Sequence, residues 1–246
     1  LLTGLGPEDE VIIPAHTFAA SAIPFARSRA KIVWADIDPE TRVISVESIQ
    51  KKLSPKTKVV VVVHLYGLVA DMDPIMALAR EKNFYVVEDV AQAPGASYKG
   101  RKAGSIGDLG CFSFHTHKNM TTLGEGGMLT VNREEWVGIV PGLRHHGMRP
   151  FTQERDRYWV PTMTNVDFDW DNVWPYKYCL GEVQCALGSK LLERLDTVNA
   201  ERRQRGEKVI QALADYPELV FQKIPEVRDH VFHLLTVRYD GEKYGR

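Results

Sequence analysis

Residues Leu109–Val131 read LGCFSFHTHKNMTTLGEGGMLTV. Leu109–Phe114 is apolar enough to form a strand, and so is Met128–Val131. Between them lie Lys118 and the run Gly124-Glu125-Gly126-Gly127. Glycines in such a bend let the backbone take positive φ and let other groups approach closely. A lysine held between two buried strands loses hydration, and burial lowers the pKa of an ammonium. A neutral lysine amine can then attack a carbonyl to form a Schiff base. Most lysines are simply solvated surface groups, so Lys118 needs a second signal beside it.

That signal is Asn83–Val90, NFYVVEDV, an apolar run that closes on Glu88-Asp89 and continues as AQAPGA. In open α/β sheets, ligands sit at the carboxyl ends of parallel strands, so an aspartate closing a buried strand is placed to meet one. Enzymes that use pyridoxal 5'-phosphate (PLP) need a lysine for the Schiff base and a carboxylate to keep the pyridine nitrogen protonated. The competing reading of Asp89 is a helix cap or turn former.

Several further segments then fall into line: DEVIIPAHTFAASA at Asp9–Ala22, VHLYG at Val63–Gly67, EDVAQAPGA from Glu88, GSIGD before Asp108, FSF and KN around Lys118, GEGG, and LGEVQCALG at Leu180–Gly188. In this order and spacing they resemble the DegT/DnrJ/EryC1/StrS group of PLP-dependent sugar aminotransferases, and the resemblance runs over nearly the whole chain. It implies the aspartate-aminotransferase-like fold (fold type I): an α/β large domain with a mainly parallel sheet flanked by helices, plus a smaller α/β C-terminal domain. The expected division is 1–180 for the cofactor-binding part and 181–246 for a linking helix and the start of the small domain. The chain opens mid-pattern on LLTGLGPEDEV, and is read as a fragment lacking the segment that carries a Gly-Thr/Ser phosphate-binding turn in the family.

Site roles follow from the same resemblance. Lys118 holds the cofactor and moves the proton. Asp89 pairs with the pyridine nitrogen, Phe18 stacks on the ring, Gln92 reaches the ring oxygen or ring face, and the Ser113 hydroxyl contacts the phosphate. Where the family has an asparagine that reaches the neighbouring subunit's phosphate, this chain has Lys177, and Cys179 stands at a usual arginine. A lysine can still meet phosphate as a point charge. Some relatives carry histidine in place of the lysine and act as dehydratases; here His117 precedes a retained Lys118, which favours amino transfer. The expected activity moves an amino group from an amino acid, glutamate by analogy, to a keto-sugar carried on a nucleotide. The alternatives are a sugar dehydratase on the same fold, an aminocyclitol aminotransferase, and a non-catalytic binding member. A homodimer with shared sites is implied.

Composition sets the outer bounds. The 246 residues are 44% hydrophobic and 26% charged, enough for a full globular core. A formal net charge of -1 gives no electrostatic case for nucleic acid. No apolar run has bilayer-spanning length. Three scattered cysteines, Cys111, Cys179 and Cys185, fit core thiols in a reducing cytoplasm. His115 and His117 form an H-x-H, but no third ligand at metal-binding spacing accompanies it.

Taken in order, the pattern predicts strands at Glu10–Ile13, Lys31–Asp36 and the five valines Val59–Val63, and a helix over Ser45–Leu53 capped by Ser45. A helix beginning at Asp73-Pro74 runs to Asn83, ahead of the Phe84 strand. Alternation of strand and helix argues for a parallel sheet. Tyr98–Asp108 reads as a glycine-rich surface hairpin, and Glu134–His145 as a helix. Val183, Leu187, Leu191, Leu195 and Val198 recur at helical spacing, predicting one long helix from Gly181, with Gly206 as a bend and a strand at His233–Tyr239. Arg149–Pro175, rich in aromatics, is expected to pack over a partner subunit's site.

Overall fold

The computed structural model describes residues 1–148 and 173–245. The expected aromatic packing of 149–175 therefore lies, but for its last three residues, outside the described residues.

Strand β1 (Glu10–Pro14) leads through a 3-10 turn (Ala19–Ser21) into the short helix α1 (Ile23–Arg27), then β2 (Lys31–Ala35). Helix α2 (Val46–Lys52) begins as predicted, the Ser45 side chain accepting from the Ser48 amide. It leads to β3 (Thr57–Val63), α3 (Met72–Lys82) and β4 (Tyr85–Asp89). Helix α3 starts one residue before Asp73 and ends on Asn83, which takes the left-handed conformation that closes helices. After a small two-stranded ladder, β5 (Ser97–Tyr98) with β6 (Arg101–Lys102), come β7 (Leu109–Ser113) and β8 (Gly127–Val131).

Six strands form one sheet in the order β2-β1-β3-β4-β7-β8, parallel except for β8, which runs antiparallel to β7. The valine run of β3 lies at its centre, and all five residues are buried. Each such side chain contributes roughly 1.5–3 kcal/mol relative to exposure. Chain direction across the sheet reverses between β1 and β3, the place where open α/β sheets form their crevice.

Four expectations are corrected. Glu134–His145 is two short helices, α4 (Glu134–Val137) and α5 (Val140–Arg144), because Pro141 has no amide proton to continue a helix and instead sits in the first turn of α5. The long helix is also two, α6 (Glu182–Leu192) and α7 (Leu195–Ala212), since the chain turns at Glu193-Arg194 and drops Leu195 onto Phe114 and Met120. Gly206 marks no bend: it lies buried inside α7, where a side chain would strike the Phe232 ring. Beyond α7, β9 (Leu219–Phe221) pairs antiparallel with β10 (Val237–Tyr239), so only the end of His233–Tyr239 is strand. Among the described residues, no helix is long and apolar enough to cross a membrane.

Candidate active site

Five of the six predicted site residues lie at or just beyond the carboxyl ends of three parallel strands, β1, β4 and β7. Phe18 comes after β1, Asp89 ends β4 with Gln92 beyond it, and Ser113 ends β7 ahead of Lys118. The parallel arrangement brings these ends to one edge of the sheet, although the residues are up to a hundred positions apart in sequence.

Lys118 sits in a turn between β7 and β8, its amide donating to the His115 carbonyl at 2.9 Å. Phe114 and Met120, buried on either side of it in sequence, pack with Leu195 and anchor the turn. Asn119 adds polar ties, donating to the Val231 carbonyl at 3.1 Å and the Asn199 carbonyl oxygen at 3.3 Å. The lysine is half-buried. Burial pulls its ammonium below the ordinary lysine value, and the nearby Asp89 carboxylate opposes that shift. Gly127 lies where any Cβ would press on the Phe112 carbonyl, so the glycine run permits the close β7–β8 approach that frames the turn.

Asp89 takes one hydrogen bond on each oxygen. Ser21 Oγ donates to Oδ2 at 2.7 Å, and the Ala91 amide donates to Oδ1 at 3.0 Å. Neither makes Asp89 a helix cap, but the Ala91 bond, two residues on, is that of a turn former, so this part of the competing reading holds beside the open acceptor positions. Each carboxylate oxygen retains acceptor capacity. Gln92 is oriented by an unusual neighbour. Its Oε1 accepts from the Tyr66 amide at 2.6 Å, and among the described residues neither Nε2 proton has an acceptor. Tyr66 has φ of +62°, a strained backbone for a bulky residue, and its hydroxyl meets His16 Nε2 at 2.9 Å. Phe18 is 76% exposed, so core packing does not account for it. Ser113 Oγ, partly buried, accepts weakly from the His115 amide at 3.4 Å, and among the described residues its proton has no acceptor.

Lys177 stands apart. It is exposed in an extended stretch whose backbone bridges His145, and among the described residues no hydrogen bond or ion pair joins it to the other five. His115 and His117 lie in the turn rather than on the strand, their rings edge to face at 5.1 Å. Among the described residues, no group of three or more His, Cys, Asp or Glu gathers at metal-binding distance.

Behind β4 the neighbouring carboxylate faces the other way. Glu88 and His64 are wholly buried, 2.9 Å apart, and Glu88 also accepts the amides of Gly104, Ile106 and Gly107 at 2.6–2.8 Å. Burial alone would raise this carboxyl's pKa. The bonds and charge from His64, with those backbone amides, outweigh burial and hold it below the usual carboxylate value. The expected surface hairpin holds for the first half of the 98–108 segment, where β5 and β6 pair across the exposed Lys99-Gly100 turn, but 103–108 turns inward: Ile106 and Asp108 are buried, and the amides of Gly104, Ile106 and Gly107 face Glu88. A carboxylate in mid-strand gave no sequence sign of that demand.

Sequence reasoning also passed over Ser21, Thr17 and His233. The His233 imidazole meets Asn119 Oδ1 at 3.1 Å, and its pKa is pulled down to about 4 by burial and then by the positive charges of Lys118 and Arg202. It arrives from a segment more than a hundred residues later, which no local pattern announces.

The donor set fits PLP: an amine made less basic by burial, a carboxylate with open acceptor positions, a free amide donor, a hydroxyl, and an exposed aromatic face. The fold and the donor set thus define an α/β protein with a site suited to PLP. Over residues 1–246 the chain matches the DegT/DnrJ/EryC1/StrS aminotransferase family, and it belongs to that family. It is 38% identical over 236 residues to GDP-perosamine synthase of Caulobacter vibrioides, covering 96% of this chain and 59% of that protein. The X-ray structure of an aminotransferase from Psychrobacter cryohalolentis superposes with a TM-score of 0.87 at 34% identity, covering 98% of this chain and 62% of that one. A putative sugar aminotransferase of Streptococcus pneumoniae in its PLP form gives a TM-score of 0.82 at 27% identity, with 98% and 62% covered. The chain therefore spans about three-fifths of the length of these relatives.

Proposed function

We propose that this chain belongs to an aminotransferase that moves an amino group from an amino acid, glutamate in this reading, to a keto-sugar carried on a nucleotide. The observation that carries the reading is the Lys118–Asp89 pair: an amine made less basic by burial, in the field of a carboxylate, at the carboxyl end of the parallel sheet. Bound PLP would supply an electron sink for the carbanion left when a proton leaves the substrate's Cα.

The remaining work falls to the chain's own groups. The Lys118 amine would hold the cofactor and, once released by the amino donor, take the Cα proton as general base and deliver it as general acid to the cofactor carbon on the far side of the amino nitrogen. Asp89 would accept the ring nitrogen's proton in a hydrogen bond and so favour the protonated ring. Gln92 Nε2 would donate to the ring's oxygen, since its own carbonyl is already engaged. Ser113 would donate to phosphate, and Phe18 would cover one ring face, a contact adding about 0.5–1.5 kcal/mol beyond area burial. The nucleotide-linked acceptor is supported by the name of the Caulobacter relative, whose product is a GDP-linked sugar. A homodimer sharing its sites, with exposed Lys177 directed to the neighbour's phosphate, completes the proposal.

The test uses the full-length protein with PLP. Borohydride should fix a pyridoxyl group on Lys118, found by mass spectrometry, and glutamate should abolish the visible absorbance and yield 2-oxoglutarate. A PLP-loaded protein that ignores glutamate but releases water from a nucleotide sugar would replace this reading with a dehydratase. No mark on Lys118 would sink the site.

A further inference from the structure

We infer that Ser21 is a positioning residue for the Asp89 carboxylate, the inner member of a directed hydrogen-bond chain that begins at Thr17. The inference rests on the proposed role of Asp89 as partner of a pyridine nitrogen.

Ser21 is buried, and its hydroxyl lies 2.7 Å from Asp89 Oδ2; Thr17 Oγ1 lies 2.7 Å from Ser21 Oγ. These distances set a direction. An ionised carboxylate only accepts, so the single hydroxyl proton of Ser21 goes to Asp89. Ser21 then has only lone pairs to offer Thr17, and Thr17 must donate. The sequence Thr17 O–H to Ser21 O–H to Asp89 is a chain in which each bond polarises the next. With the Ala91 amide on the other oxygen, the carboxylate is tied once on each side, which fixes its plane and leaves the crevice-facing acceptor positions open.

Local structure does not require this. Ser21 ends a 3-10 turn, where a serine hydroxyl ordinarily bonds back to a nearby carbonyl. Here it leaves the turn for a strand 68 residues on. The same turn begins directly after Phe18, so one rigid element ties the exposed aromatic face to the carboxylate. Ring stacking and ring-nitrogen pairing are thereby set by common geometry.

The test is PLP affinity and the pyridine 15N resonance of 15N-labelled PLP on the full-length protein, two readouts independent of turnover. Ser21→Ala should weaken PLP binding about tenfold, the scale of one hydrogen bond to a charged group. It should also move the 15N resonance from the protonated toward the unprotonated position. Ser21→Thr should restore both, and Thr17→Val should shift both the same way by about twofold. If Ser21→Ala binds within twofold of the parent with an unchanged resonance, Ser21 serves the fold alone and the inference is overturned. Should Ser21→Ala not fold, an unmoved affinity and resonance in Thr17→Val overturns it equally. An unprotonated resonance in the parent, or one indifferent to Asp89→Asn, would instead overturn the role of Asp89, and the Ser21 inference with it.

Discussion

Glu88 and Asp89 are adjacent carboxylates on one strand, yet they are embedded in opposite ways. Glu88 points into the core, wholly buried, with His64 and three backbone amides around it. Asp89 points to the crevice, partly exposed, with one donor on each oxygen and room for another. The alternation of side chains along a strand puts them on opposite faces. The difference is between a saturated carboxylate, which holds structure, and an unsaturated one, which is available to a ligand.

The contrast breaks most plainly at the group Asp89 faces. Lys118→Ala should lower transaminase turnover by roughly 10³-fold, as loss of a general acid/base does, while leaving the denaturation midpoint unmoved; retained turnover would remove Lys118 from the chemistry. Next come the carboxylates themselves. Glu88→Gln sets an amide proton against backbone amides and should cost about 3 kcal/mol of stability in denaturant titrations. Asp89→Asn should cost about 1 kcal/mol or less, with roughly a hundredfold loss of turnover. Reversal of those two outcomes would collapse the comparison.

A pH experiment sharpens it further. His230 is buried, its Nδ1 accepting the Phe232 amide at 2.8 Å and its Nε2 facing Gln222 Oε1 at 3.1 Å, and burial lowers its pKa to about 4. The unfolded chain, near the ordinary value of about 6.5, binds a proton first. Stability therefore falls as pH drops from 6.5 to 4, by up to about 1.4 kcal/mol per pH unit from this group. Glu88, with a depressed folded pKa, adds stability that is lost only at lower pH, below the ordinary carboxylate value. His230→Gln should flatten the upper part of that curve in urea titrations across the range. In the crevice, Asp89→Asn removes the charge that raises Lys118, so the pH profile for PLP capture by Lys118 should move to lower pH. The smallest effect is expected at Phe18→Leu, where lost stacking should weaken PLP about three- to tenfold by absorbance titration.

What could be read from residues alone is what repeats locally or ends a strand. The valine run named the central strand, because a strand covered on both faces has no polar alternation to show. Ser45 announced its helix, and Glu88-Asp89 and Lys118 lay at strand ends where ligands bind. The divided helices were less legible, because Leu195 continues the helical spacing while its packing on Phe114 and Met120 turns the chain.

By itself, the order of apolar runs and glycines determined an α/β protein with an aspartate at a strand end, and the resemblance joined that aspartate to Lys118 in one site. Tertiary structure alone decided that Ser21 holds Asp89, that Tyr66 turns Gln92, that His233 comes beside the Lys118 turn, and that residues 103–108 fold inward onto Glu88. The physical reason is the same in each case. A buried polar group must find partners wherever the fold supplies them, and those partners lie tens to hundreds of residues away, beyond the reach of any local period.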